Sequence, residues 1–434
     1  MNNLKSNQPT IYYGWYIVLA CIFIAFVTNG ARNSFGIFVI PLSNEFDWNR
    51  STISFAAALG FLVSGITQPI LGSLFDRWGG RKVILISLLV FGLATTALSL
   101  TFHFLFLIFL FGIVSAIALG GMSLTNTGSL LSKWFMRKRA TVVGFNATGL
   151  AAGGLILVPF GMYLLQTTGW RITWAVLGLL VLLLALPLGW LILKDNPEDI
   201  GLNPDGDLSY QPNQPNPSLR ERIVGPLDTN KWIASFRSLP MWQMTGSYVV
   251  CGATTGVLSV HFVPYALGQG ISPDLAALIF GFMMFLNILG SLGAGWISDK
   301  YNRKTILGLV YLVRGIGYML LLTVPAPLGL WIFAAVAGVS WIATAPLTTA
   351  LTADVYGLRA LGTISGVSFL FHAIGSFFSV LFAGLMFDLT GSYTIPFLFA
   401  GLLLFPAALS AFTIKEHKYS SRYQPRLAKQ PANN

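Results

Sequence analysis

The stretch GSLFDRWGGRK at 72–82 has a counterpart in GWISDKYNRK at 295–304. In each, a glycine is followed four residues later by an aspartate and then by closely spaced basic residues, and the charged cluster interrupts apolar sequence. Gly72 and Gly295 stand 223 positions apart, as do Asp76 and Asp299, while Arg139 and Arg359 are separated by 220 and Gly169 and Gly391 by 222. A nearly constant offset across such landmarks marks one unit used twice.

Outward from these loops run apolar segments of about 20 residues or more, the length that crosses a bilayer as a helix. Their spans are 14–40, 51–75, 82–101, 104–131, 139–166, 171–193, 241–268, 274–297, 304–324, 328–353, 360–387 and 394–414. The expected fold is therefore an all-α membrane protein of twelve transmembrane helices in two pseudo-symmetric six-helix halves. Composition agrees, with 55% hydrophobic and 9% charged residues against roughly a quarter charged in a soluble domain. The first apolar run is longer than a signal-peptide core of about 7–15 residues and is followed by no small-residue cleavage pattern, so it reads as a retained helix.

The expected organisation is a tail at 1–13, a bundle at 14–193, a linker at 194–239, a second bundle at 240–414 and a tail at 415–434. The linker holds KDNPEDIGLNPDG and the Pro/Asn-rich QPNQPNPS, and reads as mostly irregular. Of the 26 Lys and Arg residues, all but Arg32, Arg50, Arg171 and Arg314 fall on the loops and tails of the side that carries both termini. By the positive-inside rule both termini are cytoplasmic, in a plasma membrane such as the bacterial inner membrane. The net charge of +11 thus reports topology and not a nucleic-acid partner.

Cys21 and Cys251 lie inside apolar runs, where a thiol packs as a small hydrophobe. No metal or cofactor is expected. The run GLAAGGL at 149–155 lacks the Lys-Ser/Thr of a phosphate loop, and close helix packing accounts for it. Neither a catalytic triad nor an intramembrane carboxylate pair is visible, so no enzyme is expected.

The two interhelical loops resemble the signature loop of the major facilitator superfamily. Three further stretches, RNSFGIFVIPLSNEFDWNRSTIS from Arg32, KWFMRKRATVVG from Lys133 and HFVPYALGQGIS from His261, are similar to its bacterial branch related to monocarboxylate and oxalate/formate carriers. The likeness covers about 14–414. It implies a midplane site between halves that rock to alternate access, a small organic anion as substrate, and a gradient of protons or a counter-anion as the energy source. One departure stands out: eukaryotic monocarboxylate carriers place an Asp and an Arg on the eighth helix, whereas here FGFMMFLNILGSLGAGWISD has no charge before Asp299.

Charges inside a bilayer are costly and mark pathways or partners. Arg32, Arg314, His261 and His372 are the ionisable residues well inside the spans. Arg32, about 18 residues into the first helix, presents a planar fork suited to a carboxylate, with snorkelling to the interface as its alternative. His261, with Tyr265 one turn on, is a candidate for hydrogen bonding and proton carriage, against a role as a bundle histidine. His372, Asn126 and Asn287 complete the candidate substrate contacts, with interhelical hydrogen bonding as the alternative for the asparagines. Arg314 is expected to be structural. Gly72, Asp76, Arg77, Arg81, Gly295, Asp299 and Arg303 are candidate gating residues through close helix contact and charge pairing. All acidic residues fall in loops or near span ends, which favours an anion over a cation or sugar–proton substrate. Two other classes remain open: an exporter of neutral or amphipathic compounds, and a membrane sensor. A monomer in the lipid bilayer is expected.

Overall fold

The computed structural model describes residues 11–135, 139–206, 226–229, 231–357 and 360–423. Twelve helices in it are long and apolar enough to cross a membrane. They are α1 Gly14–Phe46, α2 Arg50–Trp78, α3 Gly80–Leu100, α4 Phe104–Trp134, α5 Arg139–Thr168, α6 Trp170–Ile192, α7 Leu239–Gly268, α8 Pro273–Lys300, α9 Arg303–Thr323, α10 Leu328–Tyr356, α11 Leu361–Thr390 and α12 Thr394–Thr413. Among the described residues there is no strand, as a lipid environment demands: a helix satisfies its own backbone groups where water is absent.

The first helix runs past the expected stop before Pro41, continuing to Phe46 with a one-residue interruption at Ser34. Proline inside a spanning helix is tolerated because neighbours and side chains take up the freed backbone groups. At the interruption, Ser34 donates both its backbone N–H, at 3.0 Å, and its hydroxyl, at 2.9 Å, to Gly30 O.

Duplication is visible in the packing. A Cβ on Gly153 of α5 would lie 2.2 Å from Phe26 O of α1, and one on Gly252 of α7 would lie 1.8 Å from His372 O of α11. Only glycine permits such backbone approach, and α1 meets α5 as α7 meets α11. At the end bearing the linker, Asp195 after α6 accepts from Arg81 N at 2.8 Å, and Glu416 after α12 accepts from Arg303 N at 3.1 Å and Lys304 N at 2.9 Å. Each carboxylate caps the helix start that follows one of the two repeated loops.

The halves meet at the end opposite the linker, here called the far end. Gly384 of α11 lies against Ser51 and Ser54 of α2, and Gly281 of α8 against Leu155 O of α5. Asp388 at the end of α11 accepts from Arg50 N and Ser51 N of α2, both at 2.8 Å. Across the pseudo-equivalent seam, Gln166 of α5 donates to Asp274 of α8 at 2.7 Å. Toward the linker end, Gly144 of α5, Gly293 and Gly295 of α8, and Gly362 and Gly366 of α11 face open space. Among the described residues, the side-chain hydrogen bonds between the halves lie at the far end, which is closed.

Candidate functional site

A narrow recess with about 30 Å³ of free volume lies where α1, α2 and α4 of the first half face α7 of the second. Arg32 and Asn33 of α1 line it, with Phe61 of α2, Phe111 and Ser115 of α4 and Ser259 of α7. The Arg32 guanidinium lies over the Phe61 ring, 4.6 Å from its centroid. Among the described residues, no carboxylate pairs with it and no acceptor is within hydrogen-bond reach. A half-buried cation without a counter-ion is electrostatically unfinished, and an anion entering the recess would complete it.

The other residues expected to touch solute are spread more widely. His261 is fully buried and faces away from the recess: its Nε2 lies 3.1 Å from Val380 O of α11 and 3.5 Å from Ser54 Oγ of α2, and its ring lies 5.0 Å from that of Tyr393. It thus sits in the far-end seam between the halves. Tyr265 packs on Phe397 and reaches Leu321 O at 3.5 Å, within the second half. His372 is half-buried, with its ring beside Tyr248 and Phe369.

Asn126 and Asn287 serve interruptions in α4 and α10. The α4 helix breaks at Met122–Ser123, and Asn126 donates to Gly120 O at 3.1 Å and Gly121 O at 3.4 Å. The α10 helix breaks between Ser340 and Thr344, and Asn287 of α8 accepts from Ile342 N at 2.9 Å. Arg314 of α9, fully buried, donates to Trp341 O at 2.6 Å, to Thr254 at 3.2 Å and to Ser340 O. Its Nη1 also lies 3.7 Å from Cys251 Sγ. Four acceptors occupy this second intramembrane arginine, which holds the broken turn of α10 closed.

Of the loop residues, Arg303 forms an ion pair with Asp354 of α10 at 3.0 Å, and Arg81 donates to Trp190 O at 2.7 Å. Arg77 is exposed. A Cβ on Gly72 would lie 3.9 Å from Asn126 Oδ1, and one on Gly295 would meet nothing. The side chains of Asp76 and Asp299 lie outside the described residues. Residues that sequence reading missed are Asp388, whose partners on α2 are some 338 positions distant, and Ser115, which no sequence signal distinguishes from other helical serines.

The profile of the Major Facilitator Superfamily matches residues 21–380 and 244–432. An uncharacterized MFS-type transporter, YcxA of Bacillus subtilis, is 25% identical over 390 residues, covering 88% of this chain and 90% of its own. Human monocarboxylate transporter 11 is 26% identical over 415 residues, covering 93% of this chain and 83% of its own. Among solved structures, that of a D-xylose–proton symporter superposes with a TM-score of 0.74 at 16% identity, covering 93% of this chain and 98% of its own. An inward-facing bacterial homologue of the human lysosomal transporter Spinster superposes with a TM-score of 0.70 at 18% identity, covering 95% and 99%. With a family profile across most of the chain, relatives that are transporters and the twelve-helix duplicated architecture, the protein is a multi-pass membrane transporter and belongs to the major facilitator superfamily.

Proposed function

We propose that the chain is a secondary carrier for a small organic anion, moved across a plasma membrane by alternating access between the halves, with Arg32 meeting the substrate carboxylate. The observation that carries this reading is the Arg32 guanidinium, which lines the recess between the halves without an acidic partner among the described residues. Relatives named as monocarboxylate transporters, at about 25% identity, support the substrate class. The termini and linker lie on the cytoplasmic side, so the far end is the outer gate. Energy comes from a coupled proton or a counter-anion.

The test is uptake by purified protein in liposomes of labelled lactate, pyruvate, formate and oxalate, with Arg32→Gln alongside. Saturable uptake that R32Q abolishes, in a protein that remains folded and inserted, is the expected result. Undiminished uptake by R32Q removes Arg32 from the mechanism. No uptake across the panel, together with dye efflux insensitive to carboxylates, transfers the reading to an exporter of neutral or amphipathic compounds. Flux that ignores pH between about 5 and 8 excludes His261 as the proton carrier.

A further inference from the structure

We infer that Ser115 is the second anchor of the substrate carboxylate, and that the site it forms with Arg32 selects a short monovalent acid over a dianion. This rests on the anion-carrier reading above.

Hydroxyls in these helices commonly donate back to the carbonyl four residues earlier: Thr28 to Ile24 at 2.7 Å, Thr67 to Val63 at 2.7 Å, Ser259 to Thr255 at 2.8 Å. Such local bonding is the usual fate of a helical serine. Ser115 is 2% exposed, and its hydroxyl has no hydrogen-bond partner. The cause is local. Residues Ile108–Ser115 form a π-helical stretch within α4, where backbone bonds run five residues back and the carbonyl four residues earlier leaves the line a hydroxyl uses in an α-turn. Burying a hydroxyl with nothing to bond is unfavourable, and π turns recur where a helix serves a site. The free hydroxyl lines the same recess as Arg32.

That π turn also brings Phe111 into the recess, stacked on Phe35 with centroids 4.1 Å apart. With Phe61 under the guanidinium and Leu119 beyond, the remaining wall is largely apolar. Arg32 is the one charged side chain among the lining residues. A single cation in a low-dielectric recess neutralises one carboxylate, and a second carboxylate would be desolvated without compensation. The free volume, about 30 Å³, is far below the roughly 150 Å³ that takes a benzene ring, so the acid that places its charge on Arg32 and Ser115 is a short one.

The experiment measures uptake of labelled lactate into proteoliposomes, with formate, oxalate and succinate as competitors, for the parent, Ser115→Ala, Ser115→Thr and R32Q. Direct binding of lactate to detergent-purified protein is followed by calorimetry. The expected results are a KM and Kd for lactate raised roughly tenfold in S115A, as loss of a hydrogen bond to a charged group predicts, recovery in S115T, and competition by formate but not by oxalate or succinate. Recovery by the hydroxyl separates a ligand contact from a packing defect. An unchanged Kd in S115A, or oxalate competing as well as formate, overturns the inference. Arg32-dependent lactate uptake unaffected by S115A would do so while leaving the anion-carrier reading intact. Failure of every acid to bind or enter defeats both.

Discussion

The contact that most directly ties conformation to a single side chain is Asp388. Its two carboxylate oxygens each accept a backbone N–H from the first turn of α2, at 2.8 Å, so a residue of the second half caps a helix of the first. The contact exists only while the far end is closed. When the halves part there, water takes its place, so removing the cap destabilises the closed state alone. An N-cap changed to Ala costs about 1 kcal/mol, and a carboxylate at a helix N-terminus contributes about 0.3–1 kcal/mol beyond a neutral cap. Asp388 is exposed, and salt screens the charge over about 8 Å, which holds the sum near 1–1.4 kcal/mol. Asp388→Ala then shifts the closed-to-open equilibrium toward far-end opening roughly five- to tenfold. Asp388→Asn keeps one acceptor oxygen and loses the charge and the second bond, so its shift falls between those of the parent and Asp388→Ala, roughly two- to fivefold. Spin labels at Asn44→Cys on α1 and Gln269→Cys after α7, both exposed at the far end, report the separation of the halves, and the native Cys21 and Cys251 are buried. The longer-distance population should grow in the order parent, D388N, D388A. A distribution in D388A identical to the parent's, or a D388N effect equal to that of D388A, refutes the capping argument.

Other consequences follow from the packing. Arg314→Met removes the donor to the Ser340 and Trp341 carbonyls and should lower stability in detergent by about 1–3 kcal/mol, read as a drop in thermal unfolding midpoint. Arg32→Met, which loses only the contact with the Phe61 ring, should lower that midpoint much less. Glu416→Ala uncaps the start of α9 and should cost about 1 kcal/mol, visible in the same melt and smaller for Glu416→Gln. Gly153→Ala forces a Cβ to within 2.2 Å of Phe26 O and should destabilise by about 1–3 kcal/mol. Gly144→Ala on the same helix, facing open space, should be neutral or stabilising by up to about 1 kcal/mol. Equal melts for these two variants would contradict the close approach of α1 and α5.

The spans were legible because a bilayer sets a length that a run of apolar residues either reaches or does not, and the two repeated loops fixed their number. The arginine in the recess was legible for a related reason: a lone charge in an apolar run is conspicuous by its cost. What escaped the sequence is local geometry and distant pairing. The π turn at Ile108–Ser115 lies in continuous apolar sequence with no punctuation, so the feature that frees the Ser115 hydroxyl leaves no trace in residue type. Asp388 reads as an ordinary helix-end acid, since nothing local points to partners on α2. The break in α10 had a partial signal in Pro346, which supplies no N–H to the turn before it. His261 and Tyr265 illustrate the opposite limit: a spacing of four puts them near one another on α7, but the neighbouring helices decide what each one faces.

The two intramembrane arginines sharpen this distinction. Both are single charges in apolar helices, and by sequence alone either is a candidate to bind an anion. The duplicated scaffold treats them differently. At an offset of 222, Gly30 corresponds to Gly252 and Gly153 to Gly375, and these pairs keep their packing role. By the same offset Arg32 corresponds to Thr254, and Arg314 to Gly92, so neither arginine belongs to the repeated framework. Arg314 is surrounded by acceptors that its own half supplies, including the carbonyls released where α10 breaks. The equivalent break in α4 needs no cation, because Asn126 of the same helix caps it. Arg32 has the face of Phe61 and lines the recess. A buried cation is costly until its hydrogen-bonding capacity is met. In one half the protein meets most of that need itself, with only Nε of Arg314 left over, and in the other no described residue hydrogen-bonds the guanidinium.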